Sequence, residues 1–143
     1  MSKGDTFEND LLKLIFNGTA IADIADNDAT APLTSFYASL HTADPGEAGS
    51  QTTNETAYTG YARVAVARSA GGFTVTGSVV NPTANIVFGE CTATPGSPLT
   101  HFAIGTLVSG AGKILYSGTL TPNITIAAGI IPVLKSTSTI TED

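Results

Sequence analysis

Two hydrophobic rhythms succeed one another along the chain. Near the start, Phe7, Leu11, Leu14 and Ile15 recur at i, i+4, i+7 and i+8, which lines one apolar stripe along a helix. Asp5 with Glu8 three residues on forms a D-x-x-E capping box, and acids in a first turn also suit the helix dipole. Gly18 stands where a left-handed stop belongs. The spacing therefore predicts a helix over Asp5–Phe16, the only good one in the chain. Such a helix is marginal alone, so its stripe either covers the protein's own β-domain or docks on a neighbouring subunit.

From Leu33 the rhythm changes to period 2, broken by turn residues. Leu33–His41 reads as a strand with Thr34, Phe36, Ala38 and Leu40 on one face. Asp44-Pro45-Gly46 makes a turn, and Gly49–Ala57 is a polar loop. Tyr58–Arg68 alternates again; Gly71-Gly72 reads as a hairpin turn with Phe73–Val80 as the return strand, broken at Asn81-Pro82. Ala84–Phe88, Leu99–Gly105, Lys113–Leu120, Ile124–Ala127, Ile130–Leu134 and Ser136–Thr141 complete the set, with Thr94–Pro98 as an irregular loop. About eight or nine short strands, roughly 8–14 residues apart, point to an antiparallel β-sandwich or jelly roll. The predicted class is mainly β with a short N-terminal α-helix. The expected layout is an N-terminal helical arm and acidic linker over 1–32, then a β-sandwich domain over 33–143.

Composition sharpens this picture. With 143 residues there is room for one core, and 42% apolar against 13% charged residues excludes a disordered chain. No apolar run approaches the roughly 18 residues of a membrane span. Twelve acids against six Lys and Arg, the latter scattered singly, give a net charge of −6. Without a basic stripe, neither nucleic acid nor an anionic membrane is an expected partner. Nine acids precede Thr56, and Glu90 is the sole acid between Thr56 and Thr141. Asp5, Glu8 and Asp10 interrupt any signal-peptide core, so folding in a cytoplasm is expected.

Candidate chemistry is sparse, and no cofactor or metal is expected. Asp23, Asp26 and Asp28 lack the spacing and the downstream Glu of a calcium loop, and read as a polar turn. In Gly105–Lys113 the glycine spacing misses the phosphate-loop template, and Ile114 replaces its hydroxyl; a Gly-rich hairpin fits better. Cys91 has no partner for a disulfide. A Cys91–His101 nucleophile–base pair lacks any flanking signature, so Cys91 reads as a small apolar residue and His41 and His101 as structural. Tyr58, Tyr61, Arg63 and Arg68 form one segment rich in interface-type residues. They either pack a domain edge and solvated faces or meet a partner subunit. A charge-poor surface is also a poor barrier to association. The expected interface set is thus Phe7, Leu11, Leu14 and Ile15 with Tyr58, Tyr61, Arg63 and Arg68.

Several separated motifs keep a recognisable order. These are T-x-x-P-G-E-A-G at Thr42–Gly49, Y-x-R-x-A-V at Tyr61–Val66, T-H-F-x-I-G at Thr100–Gly105 and G-x-x-L-Y-x-G at Gly112–Gly118. Over most of residues 33–120 the chain resembles a family of small bacteriophage and prophage virion proteins, tail fibre-like or minor structural. The resemblance implies a non-enzymatic virion component without cofactor, assembled in the bacterial host cytoplasm. It also implies other virion proteins as partners, either the major capsid protein or tail proteins, and a homo-oligomer, with a trimer preferred. Neither heptads nor repeats are present to span distance as a fibre shaft does. A compact, acidic β-domain therefore suits a capsid cement or decoration protein bridging capsid subunits. The alternative is a tail-associated or tail-fibre module involved in host attachment.

Overall fold

A computed structural model describes residues 5–21, 32–93 and 96–142, with side chains from residue 8 onwards. The acids Asp23, Asp26 and Asp28 and the side chain of Phe7 lie outside the described residues. The fold is mainly antiparallel β with one short N-terminal helix. The elements are α1 (Asp5–Leu12), continued by a π-helical turn over Lys13–Asn17, then β1 (Ser35–His41), β2 (Val64–Ala67), β3 (Phe73–Thr76), β4 (Val79–Pro82), β5 (Ile86–Val87), β6 (Leu99–Gly105), β7 (Ile114–Ile124), β8 (Val133–Leu134) and β9 (Ile140–Thr141). They form a four-stranded sheet in the order β2-β1-β6-β7, a three-stranded sheet β3-β4-β9 and a two-stranded ribbon β5-β8.

The chain divides into two compact units, one of residues 1–35, 66–85 and 135–143, the other of residues 36–65 and 86–134. The first unit contains α1 and the β3-β4-β9 sheet. Its helix ends at Gly18 in the left-handed conformation (φ 65°), as the sequence predicts. The fully buried positions are Leu12 and Phe16, an i, i+4 pair, while Leu11, Leu14 and Ile15 are half-buried. Phe16 meets Phe73 edge-to-face at 4.8 Å, a favoured aromatic geometry. Asn9 Nδ2 also donates to the Gly77 carbonyl at 2.9 Å.

Here the structure departs from the single return strand expected over Phe73–Val80. The chain reverses at Gly77, whose φ of 61° a side-chain-bearing residue resists. β3 therefore pairs with β4, Phe73 opposite Pro82, and the expected break at Asn81-Pro82 becomes strand. Pro82 is accommodated at a strand end, where its missing N–H removes little from the ladder. Similarly, β7 runs on past the expected end at Leu120 as far as Ile124, and the rest of the strand expected over Ile124–Ala127 is not strand.

The second unit is built on β1 and β6, both internal to the sheet, with Tyr37 opposite Gly105 and His41 opposite His101. Phe36, Ala38 and Leu40 fill one face as the alternation requires, with Ile104 opposite Ala38, and Leu99, Ala103, Ile126 and Leu134 are buried as well. Strict alternation nevertheless fails along β1: Ser39 and His41 on the other face are also fully buried. What covers them is the polar loop.

Candidate functional site

The polar loop folds back over β1 and is tied to it at several points. Asp44 Oδ1 accepts the Gly46 N–H at 2.9 Å, closing the turn at Asp44-Pro45-Gly46. Asn54 Nδ2 reaches back to the Asp44 carbonyl at 2.8 Å. Thr42 N donates to Asn54 O (2.8 Å), and Thr56 N to Leu40 O (3.0 Å), so the loop continues the sheet's hydrogen bonding past the end of β1.

Beneath the loop lies a buried polar cluster. Arg63 holds Glu55 in a bidentate pair, with Nε to Oε1 and Nη2 to Oε2 both at 2.7 Å. The two side chains are only 3% and 15% exposed. Such fork-to-fork pairs combine charge with fixed geometry. Two of the three remaining guanidinium hydrogens go to the β6–β7 turn: Nη1 donates to Leu107 O at 2.9 Å and Nη2 to Gly110 O at 2.8 Å. One arginine thereby fixes the polar loop to the turn. The hydrogen bonds to Glu55 hold the Arg63 guanidinium still further above its ordinary range, against the opposing effect of burial.

Tyr61 adds a third arm. Its hydroxyl donates to Glu55 Oε1 at 2.8 Å and accepts the Leu40 N–H at 3.2 Å. Burial is the main cause that raises the Tyr61 phenol well above its ordinary range, and the hydrogen bond from Leu40 only partly opposes it. The ring packs edge-on against Tyr58 (5.4 Å) and stacks on Phe88 (6.4 Å). Tyr58 is itself buried, with its hydroxyl donating to Gly89 O at 2.8 Å. Its phenol is pushed up to about 12, chiefly by burial.

Gln51, fully buried, is the second link between loop and turn. Its backbone N–H donates to Gly112 O (2.9 Å), Nε2 to Tyr37 O (3.4 Å), and Oε1 accepts the Leu107 N–H (2.9 Å). The amide lies so close to the backbone that a Cβ on Gly105 or Gly112 would stand 2.1 Å from it. That close approach explains the glycines at both ends of the segment that superficially resembled a phosphate loop. Here they make room for a glutamine.

His41 completes the cluster. Its Nδ1 lies 2.9 Å from Thr53 O and its Nε2 2.9 Å from Ser39 Oγ. The Ser39–His41 spacing is that of a nucleophile and base, yet both residues are 0% exposed, with Ser39 inside the sheet. Cys91 is buried with its thiol donating to Ala93 O at 3.1 Å, and His101 Nδ1 bonds locally with Thr100 Oγ1 at 2.8 Å. Among the described residues no group of three or more His, Cys, Asp or Glu is placed to hold a metal ion, and no helix is long and apolar enough to cross a membrane.

The residues singled out in the sequence fall into two groups. Tyr58, Tyr61 and Arg63 come together in the second unit. Arg68 belongs to the first, with Leu11, Leu14 and Ile15. Its Nε donates to Ile15 O and its Nη2 to Leu14 O, each at 2.6 Å. A cation on the last carbonyls of a helix satisfies orphan acceptors and complements the dipole. Sequence reasoning passed over Glu55, Gln51 and Gly110 as constituents of the cluster. Their signal was available only in part, as a lone acid in a polar loop opposite a lone arginine.

The family model Gp80, described as Podophage GP4 fiber I protein gp80, matches residues 2–141. No curated protein matches the chain. The matched span is nearly the whole chain, so the protein belongs to this podophage fibre family and is a phage virion structural protein.

Proposed function

We propose that this podophage fibre-family protein serves in the tail apparatus, as a non-enzymatic fibre module that contributes to host attachment. The family match across residues 2–141 carries this reading and favours it over a capsid cement. The cluster is consistent with it. Arg63, Glu55 and Gln51 spend their polar groups on fixing two surface segments, Thr42–Thr56 and Thr106–Gly112, and none projects towards solvent as a reactive group. Rigidly held loops suit recognition, because little ordering entropy remains to be lost on binding. Leu107 and Val108 at the pinned turn are 46% and 62% exposed, as a contact surface requires. In the same reading the partners are tail proteins and further copies of this chain, with a trimer preferred.

Immunogold labelling of phage particles with antibody to this chain tests the placement. Gold at tails, together with slower adsorption when host cells are pre-incubated with purified protein, supports the fibre reading. Gold spread over heads would return the assignment to a cement protein. Unlabelled particles would refute both locations.

A further inference from the structure

Among the described residues β7 has β6 on one side and no strand on the other. The alternation of hydrogen bonds across the sheet fixes what that open side presents. In β1, the Leu40 N–H and C=O turn away from β6, to the Tyr61 hydroxyl and the Thr56 N–H. Tyr37, Ser39 and His41 therefore bond β6. Because the two sides alternate residue by residue, Phe102 and Ile104 bond β7 through their partners Gly118 and Tyr116. The Thr106 N–H, which reaches Lys113 O, keeps the same parity. Ser117 and Thr119 are thus left with N–H and C=O aimed outward. Both residues are exposed, and among the described residues no backbone group beyond the sheet bonds either of them.

Sheet edges are guarded against their own copies by charge, by proline or by a bulge. β7 has no Asp, Glu, Lys or Arg in its 11 residues, although the whole chain carries a net charge of −6. Its guards stand at the two ends. Register shifts with β6 occur at Ile104/Gly105 and Leu99/His101, Pro122 lies beyond Thr119, and the Ser50–Lys113 bridge takes up the edge before Ile114. Between them Tyr116–Thr119 is regular, uncharged and open.

This stretch is also self-complementary. Ser117 and Thr119 flank Gly118, so a second β7 running antiparallel about a two-fold axis at Gly118 sets Ser117 opposite Thr119 of the other copy, twice. Each such pair exchanges both of its N–H···O bonds, and Gly118 faces itself in the closer, non-hydrogen-bonded position without bringing a side chain to the axis. Tyr116 comes opposite Leu120, an aromatic–aliphatic cross-strand pair. Asp44 and Glu47, which line a groove with Ile114–Ser117, come nearest to Thr119–Pro122 of the other copy, a stretch without charge. A charged partner strand finds no counter-charge on β7, whereas an identical strand meets no repulsion.

We propose that the open edge of β7 binds β7 of a second copy of this chain, antiparallel about a two-fold axis at Gly118, so that two four-stranded sheets join into one continuous sheet. The contact is isologous and closes on itself. Where three copies meet through another surface, it joins one such trimer to the next. It depends on the sheet alone and stands whether the chain serves in tail or head.

Amide hydrogen exchange on the full chain, read over a concentration series, tests the contact. The Ser117 and Thr119 N–H groups are expected to exchange fast in dilute solution and to slow as copies pair. Once pairs dominate, a tenfold rise in concentration should slow them about threefold, because the unpaired fraction falls as the square root of concentration. The Gly118 N–H, held by β6, stays protected throughout. The double variant Ser117→Lys with Thr119→Lys sets Lys against Lys at both pairs. Its two amides should stay fast at every concentration, with Gly118 protection showing that the fold is intact. Cysteines read the register. Ser117→Cys and Thr119→Cys, mixed and oxidised, should cross-link with each other, since opposite residues stand about 5.5 Å apart, within disulfide reach. Neither should cross-link with itself across the diagonal of about 7–8 Å. The unmodified protein, whose Cys91 is buried, is the control. Ser117 and Thr119 amides that ignore concentration, unchanged pairing of the double lysine variant, or self-cross-linking of Ser117→Cys in preference to the mixture would each overturn the proposal.

Discussion

Replacing Arg63 by methionine keeps much of the side-chain volume and removes every polar contact it makes. The bidentate pair with Glu55 is lost, along with the bonds to Leu107 O and Gly110 O. Glu55, with a side chain 15% exposed, is left as a largely desolvated charge bonded only by Tyr61. The two freed carbonyls belong to exposed turn residues and can rehydrate, so the dominant cost is the orphaned carboxylate. Breaking a buried pair from one side costs about 3–5 kcal/mol. In a protein of this size that lowers the melting temperature by roughly 10 °C or more. Urea denaturation should show the fall in midpoint at constant m. The double variant Arg63→Met with Glu55→Gln leaves no buried charge and should recover most of the loss, giving a coupling energy of about 2 kcal/mol or more in the cycle. Arg63→Lys should recover only part, since an ammonium cannot reproduce the fork. A cost for Arg63→Met below about 1 kcal/mol would mean that the pair behaves as a solvated surface bridge, and the account of the cluster would be wrong.

Three further outcomes follow from the same geometry. Arg68→Ala strips two charge-assisted bonds from the helix end and should cost about 2 kcal/mol, with faster amide exchange confined to residues 8–18. Gly105→Ala places a methyl 2.1 Å from the Gln51 amide and should cost about 1–3 kcal/mol by overpacking, measurable in the same urea titration. Spectrophotometric titration of the folded protein should show part of the phenolate signal only near pH 12, from Tyr58; complete ionisation by pH 11 without unfolding would contradict its burial.

Much of the fold was legible in local pattern. The strand over Leu99–Gly105 has the predicted limits, and the left-handed stop at Gly18 stands where the sequence put it. These features depend on neighbours in sequence: a period, a turn residue, a positive φ. The errors arose where a local signal was ambiguous. Gly71-Gly72 and Gly77 are both plausible reversals, and pairing with β9 through Val80 opposite Ile140 favours an arrangement that no local pattern reveals. Burial in the helix likewise falls on Leu12 and Phe16, one position along from Leu11 and Ile15 at the same i, i+4 spacing, which the apolar stripe alone does not reveal.

By itself the sequence determined the class, a charge-poor β-protein with one short helix, and through its ordered motifs the virion family. The class is a property of composition and periodicity and the family resemblance one of motif order, and both survive without coordinates. Only the tertiary structure decided what the polar residues do. Ser39 and His41 lie on the face of β1 that alternation assigns to solvent, and they are buried because a loop some ten residues away in sequence returns to cover them. Arg63 and Glu55, or Gln51 and Gly112, become partners through hydrogen bonds and close backbone approach, which depend on distance in space. Periodicity reports which side of a strand faces the core; it carries no information about what a loop lays over the other side.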